Sequence, residues 1–218
     1  MAQPLLLAHR GDRAAGPENS ARSVLAAFRR CDGAEVDVIV TADGEPILRH
    51  DDRLASGAPV RALSLAEVRR LTGDDEDTCP HAGDVLAALA RSGVTGLLDV
   101  ELKVPGAARA LLPYRAHLGL VAFTSFFATE VLDALALFPE RPAGHLCAYG
   151  VPRFVPPGSS LLAIRQSMLE PVRASFPTMP LYAWTLNDAE AVARARAVGA
   201  VVWIGDDVEQ LRAWRDGA

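Results

Sequence analysis

Short runs of apolar, β-rich residues recur along the chain, and between them lie segments whose apolar positions repeat at helical spacing. The apolar runs fall at Leu5–Ala8, Ala34–Val40, Gly96–Leu102, Leu120–Ser125, Gly144–Ala148, Leu161–Ile164, Leu181–Leu186 and Val201–Ile204. Each has the length of a buried strand. Helical spacing marks Ser20–Arg30, Ser64–Leu71, Gly83–Ala90, Ala107–Leu118, Thr129–Phe138, Leu169–Phe176 and Ala189–Val198. Several of these open near Ser, Thr or Asp, whose side-chain oxygens accept from the free amides of a first helical turn. Strands that alternate with helices pair in parallel through βα units. Eight such units in a chain of this length predict a TIM-type (β/α)8 barrel in preference to a doubly wound sheet, which periodicity alone leaves open.

One further β-like run, Pro46–His50, follows the turn at Asp43–Gly44 and predicts a hairpin-like extension at the barrel mouth. The stretch from Asp51 to Gly96 is polar apart from the Ser64–Leu71 helix, and its acidic run Asp74–Asp77 reads as a solvated loop. Pro and Gly are scattered singly between apolar runs, with no low-complexity linker. A single domain spanning residues 1–218 is therefore expected.

Composition narrows the partners. Half of the 218 residues are hydrophobic, enough for a sizeable core. The net charge of −5 argues against nucleic acid, whose phosphates demand clustered Lys and Arg. An anionic small molecule needs a local cation to overcome that field. No apolar run approaches the roughly 18 residues of a membrane span, and Met1–Leu7 lacks the basic region of a secretory signal. Cys31, Cys79 and Cys147 are odd in number and form no CxxC pair, so reduced thiols and a cytoplasmic location are expected.

The chemistry concentrates on two strands. Glu35 and Asp37 stand at i and i+2, so both carboxylates project from one face while Val36, Val38 and Val40 face the helices. The third strand repeats the pattern with Asp99, Glu101 and Lys103 against Leu98, Val100 and Leu102. Two carboxylates about 4 Å apart repel by about 4 kcal/mol at an effective dielectric of 20, which invites a cation between them. All-oxygen ligands suit Mg2+ or Ca2+ better than zinc. The competing use of these carboxylates is ion pairing with Lys103 and Arg10 inside the barrel. Asp99 stands deeper in its strand than the others. His9 and His50 end two β runs at the C-terminal mouth, beside the carboxylates, and supply an acid and a base. Arg10 and Lys103 supply positive charge for a phosphate. His81, His117 and His145 have no such company in the sequence and read as surface or core residues.

The segments AHRGDRAAGPENSARSVLAAF and GAEVDVIVTADGEPILRHDD, followed by LDVELK at Leu98–Lys103, Ser125-Phe126 and YAWTLND at Tyr182–Asp188, resemble the signature of glycerophosphodiester phosphodiesterases from Ala8 to Asp207. The resemblance implies a TIM barrel that hydrolyses a small glycerophosphodiester to glycerol 3-phosphate and an alcohol. It implies a divalent ion, magnesium or calcium, held at Glu35, Asp37 and Glu101, with His9 and His50 as the catalytic pair. It further implies that Arg10 and Lys103 contact the phosphate, that Glu18 and Asn19 hold the first-strand loop and its arginine, and that Trp184 packs on the glycerol side of the substrate. Two departures stand out. The family's last strand ends in Thr-Asp-x-Pro, whereas this chain reads Gly205-Asp206-Asp207-Val208. The capping insertion after the second strand is reduced, which leaves the headgroup open. Two other uses of the same barrel are a non-catalytic holder of a metal and an anion, and a lipid-directed, phospholipase D-like relative. The second loses ground because no apolar segment is expected at the surface.

Overall fold

The structure, a computed structural model, describes residues 3–73 and 77–217. Most of the expected acidic run, residues 74–76, lies outside the described residues. In chain order the elements are β1 (Leu5–Ala8), α1 (Ala21–Arg30), β2 (Gly33–Val40), β3 (Pro46–Leu48), α2 (Leu65–Thr72), α3 (Ala82–Ser92), β4 (Leu97–Leu102) and α4 (Ala107–Ala110). There follow β5 (Leu120–Ser125), α5 (Ala128–Leu137), β6 (Ala143–Cys147), β7 (Leu161–Arg165), α6 (Leu169–Ser175), β8 (Leu181–Trp184), α7 (Ala189–Ala197), β9 (Val202–Gly205) and α8 (Val208–Asp216).

All strands except β3 are parallel, and β1 pairs with both β9 and β2, so the sheet closes on itself as the expected (β/α)8 barrel. β3 instead runs antiparallel beside β2, with Ile39 opposite Ile47. The short segment between β3 and β4 packs over Ile47, Leu54, Val60 and Val68, a satellite cluster that forms the reduced cap.

Alternation along each strand separates two cores. Leu7, Leu97, Ala122, Leu146, Leu161, Ala163, Tyr182, Val202 and Ile204 point inward and fill the barrel floor. Their neighbours of opposite parity, among them Val36, Val38, Leu98, Val100, Leu102, Leu162, Ile164 and Trp203, pack outward against the helices. Each such large apolar side chain contributes about 1.5–3 kcal/mol through removal from water. Caps appear where hydroxyls and carboxylates precede helices: Ser20, Ser64, Asp188 and Asp207 each accept from an amide of the following first turn.

Two elements differ from the sequence expectation. Ala107–Leu118 is not one helix, because α4 stops at Ala110 and 3₁₀ turns run from Leu112 to His117. Pro113 removes an amide donor there and its ring obstructs a continuing α-helix. The helix α8, absent from the expectation, is short and strongly charged, with Val208 and Leu211 as its buried anchors.

Candidate active site

Register at the C-terminal end of the barrel brings the chemistry together. Ala8 lies opposite Ala34 on one side and Gly205 on the other, so the next residues, His9, Glu35 and Asp206, emerge side by side. Glu35 lies opposite Asp99, and Asp37 opposite Glu101. One carboxylate oxygen from each of Glu35, Asp37 and Glu101 falls within 4.8 Å of the others, and all three residues are buried.

The electrostatics of this cluster are unbalanced. Burial first, and then the charges of Asp37, Glu101 and Asp99, push the Glu35 carboxyl well above its usual range. Burial and Asp37 push Glu101 up to about 7, against the opposing pull of Lys103. Asp37 moves the other way: burial opposes its charge, but Lys103, the amide of Asn19, Arg10 and His50 more than offset that, and its pKa is lowered. Asp99, at the bottom of the cluster, is pushed by burial up to about 8 although Thr124 donates to it at 3.1 Å. The Lys103 ammonium lies 3.3 Å from Asp37 Oδ1 and 3.2 Å from Glu101 Oε1. That ion pair is the contact the buried Glu101 Oε1 makes. Three converging carboxylates, all hard oxygen donors with a spare lone pair, fit a divalent cation such as Mg2+ or Ca2+.

The loop after β1 is built to hold this group. Arg10 and Asn19 both adopt the left-handed conformation, at φ 59° and 57°, which costs a non-glycine residue roughly 1–2 kcal/mol. Local contacts offset the cost. The Arg10 amide donates to Glu35 Oε2 at 3.0 Å, and its guanidinium meets Glu18 at 3.1 Å and Asp37 at 3.4 Å. Asn19 clamps Asp37 from both sides, donating to Oδ2 at 2.9 Å and accepting from the Asp37 amide at 3.0 Å.

The two histidines share one arrangement. His9 Nδ1 lies 2.7 Å from Asp206 Oδ1, and His50 Nδ1 lies 2.8 Å from Asp51 Oδ1. The bond from His9 is the first of the causes that hold Asp206 down to about 2, and the bond from His50 leads those that lower Asp51. Ionised carboxylates only accept, so each imidazole carries its proton on Nδ1 and leaves Nε2 to the cavity. Both rings line one cavity of about 420 Å3, together with Arg10, Glu35, Glu101, Lys103 and Trp184. His9 Nε2 stands 4.0 Å from Glu35 Oε2.

Sequence reasoning missed Asp206, although it follows Gly205 at the end of the last strand and keeps the acidic position of the departed pattern. The lost hydroxyl residue has a steric reason. A Cβ at Gly205 would lie 2.7 Å from the Leu186 carbonyl oxygen. Asn187 joins the arrangement, donating to Asp206 Oδ2 at 2.6 Å. His81, read as a surface or core residue, is a core residue, buried with Glu45 Oε2 at 2.9 Å and the Tyr114 hydroxyl at 3.3 Å. No exposed apolar segment is expected from the sequence, yet individual apolar side chains do reach the surface at the mouth. Phe126, Phe127, Tyr149, Val151 and Phe154 are exposed, and Phe126 and Tyr149 join Trp184 on the cavity wall.

A closed parallel barrel with an oxygen-donor cluster, two histidines and two cations at its C-terminal mouth belongs to the class of TIM-barrel hydrolases. Residues 9–111 match the sequence model of the Glycerophosphoryl diester phosphodiesterase family. A glycerophosphodiester phosphodiesterase of Caldanaerobacter subterraneus is 27% identical, with 95% of this chain and 96% of that one covered. Two crystal structures share the fold at low identity. The glycerophosphodiester phosphodiesterase of Thermotoga maritima aligns at a TM-score of 0.76 and 23% identity, covering 97% of this chain and 98% of the other. A phosphodiesterase of Oleispira antarctica, in complex with the product sn-glycerol-3-phosphate, aligns at 0.81 and 22% identity, covering 98% and 97%. The chain is thus similar to glycerophosphodiester phosphodiesterases along its length, and the segment that matches the family model carries His9, Arg10, Glu35, Asp37, His50, Glu101 and Lys103.

Proposed function

We propose that residues 1–218 form one catalytic unit that hydrolyses small glycerophosphodiesters to glycerol 3-phosphate and an alcohol, with a divalent cation at Glu35, Asp37 and Glu101. The observation that carries this reading is the convergence of those carboxylates within 4.8 Å, beside His9 and between Arg10 and Lys103. A bound divalent ion supplies Lewis-acid stabilisation of charge on phosphoryl oxygens. Arg10 and Lys103 add fixed positive charge on the same side, and their two faces orient the diester. Burial works against both cations, but neighbouring carboxylates more than offset it and raise both pKa values, so both stay charged at neutral pH.

His9 and His50 divide the proton work. One Nε2 takes the proton of the attacking oxygen as that oxygen bonds to phosphorus, and the other gives a proton to the alcohol oxygen as its bond to phosphorus breaks. Asp206 and Asp51 each hold a proton on Nδ1, so the neutral ring accepts at Nε2 while the other, as imidazolium, carries on Nε2 the proton it gives. Glu18 and Asn19 hold the loop that carries His9 and Arg10, and Trp184 forms the wall for the glycerol side. The free thiols Cys31, Cys79 and Cys147 support a reducing, cytoplasmic setting, and among the described residues no helix is long and apolar enough to cross a membrane.

The exposed aromatic rim favours one second reading, a substrate with an apolar chain. A panel of soluble glycerophosphodiesters and a long-chain lysophospholipid, assayed with and without chelator, separates the two. Soluble diesters should turn over faster and only without chelator. Faster turnover of the lysophospholipid would move the protein to the second reading. Calorimetric titration of the Glu35→Gln/Asp37→Asn/Glu101→Gln variant should show magnesium and calcium affinity sharply weakened, and full retention would overturn the ligand set.

A further inference from the structure

Arg165 is the last residue of β7, and alternation places it above Leu161 and Ala163 on the inward face. Around the closed barrel β7 stands four strands from β2 in either direction, directly across the mouth from Glu35 and Asp37. It lines the same cavity, yet no carboxylate among the described residues pairs with it. Its guanidinium lies instead over the Tyr149 ring, 5.8 Å from the centroid, and its strand neighbour on β8 is Trp184. A lone guanidinium on an otherwise apolar wall asks for an anion, since such a group forms its strongest contacts in bidentate pairs with carboxylate or phosphate. The scissile phosphate does not need it. A diester phosphate carries a single negative charge, and Arg10, Lys103 and the cation site already meet it from the β1, β2 and β4 side.

We propose that Arg165 is a specificity residue, and that the alcohol arm of the diester, opposite the glycerol held against Trp184, reaches it with a second anion, a carboxylate or phosphoryl group. The inference rests on the reading of the chain as a glycerophosphodiester hydrolase. Quaternary ammonium arms, which aromatic walls otherwise hold well, are repelled at this position.

Three probes test the assignment: glycerophosphoglycerol, the same diester bearing a phosphomonoester on one terminal hydroxyl, and glycerophosphocholine. Both arms of the first are glycerol, so the added phosphate reaches Arg165 in either orientation. The parent protein should favour the phosphorylated probe over its unphosphorylated twin by about tenfold in kcat/KM, carried by KM, and should disfavour the choline ester. Arg165→Gln should erase that ratio, and Arg165→Lys should keep part of it. Equilibrium binding in chelator, where turnover stops, should show the same order in Kd. Equal losses by Arg165→Gln on all three probes, or no preference in the parent, would overturn the inference. Arg165-dependent binding without turnover of any probe would leave the anion subsite standing and remove the hydrolase reading instead.

Discussion

The two halves of the barrel mouth are built from the same alternating positions and carry opposite chemistry. On β1, β2 and β4 the inward positions hold His9, Glu35, Asp37, Asp99, Glu101 and Lys103, tied to one another by ion pairs and hydrogen bonds. On β6 to β8 they hold Leu146, Ala148, Ala163, Tyr182 and Trp184, with Arg165 alone carrying charge. One half therefore stores electrostatic cost that a cation relieves, while the other offers shape and apolar surface. On the proposed reading, reaction and selection fall to different strands, and substitutions in the two halves should leave different kinetic marks.

The largest contrast is expected at the histidines. His9→Ala and His50→Ala should each lower turnover by about 10² to 10⁴-fold and remove one limb of a bell-shaped pH–rate profile, with divalent-ion affinity little changed in calorimetry. Near-normal turnover in either variant would reduce that ring to a structural role.

Stability measurements probe the stored cost directly. Asp99 has its carboxyl raised from 3.8 to about 8 and Glu101 from 4.5 to about 7. An acid whose native pKa is raised stabilises the fold fully below its unfolded value and loses that contribution as pH climbs through the native one. The chelated protein should therefore lose stability from about pH 4 to pH 8, by up to ~6 kcal/mol from Asp99 alone. Thermal melts of Asp99→Asn should show a flatter dependence. An unaltered slope would mean that the cluster is not strained by its own charges.

Asp206→Asn should act more mildly. Loss of the carboxylate behind His9 is expected to cost about 10 to 100-fold in kcat, because the ring loses the acceptor that holds its Nδ1 proton. Trp184→Ala, on the apolar half, should raise KM about tenfold and spare kcat, as removal of a wall does. If it lowers kcat and leaves KM, the division between the halves is wrong.

The parts of this design that follow chain-local rules were legible in the sequence. Strand alternation alone set Glu35 beside Asp37 and Asp99 beside Glu101 and Lys103, and the spacing of apolar runs outlined the barrel. What escaped depends on neighbours far apart in the chain. Asp206 gains its meaning from pairing of β1 with β9, and Arg165 from lying across from β2, and neither register is written in local periodicity. The α8 helix escaped because its charge masks a two-residue apolar stripe, and the aromatic rim because single exposed residues form no run.

Closure of the barrel has a temporal consequence. His9 and Asp206 are 197 residues apart in sequence and 2.7 Å apart in space, so the first and last strands must both exist before His9, the proposed acid–base group, has its partner. At the usual 5–20 residues per second, synthesis of the whole chain takes on the order of ten to forty seconds. Throughout that interval the emerging polypeptide has its acidic cluster encoded but its proton relay incomplete. Hydrolytic competence should arrive as a single late event, and a ribosome stalled before residue 206 would present a chain that lacks the finished relay.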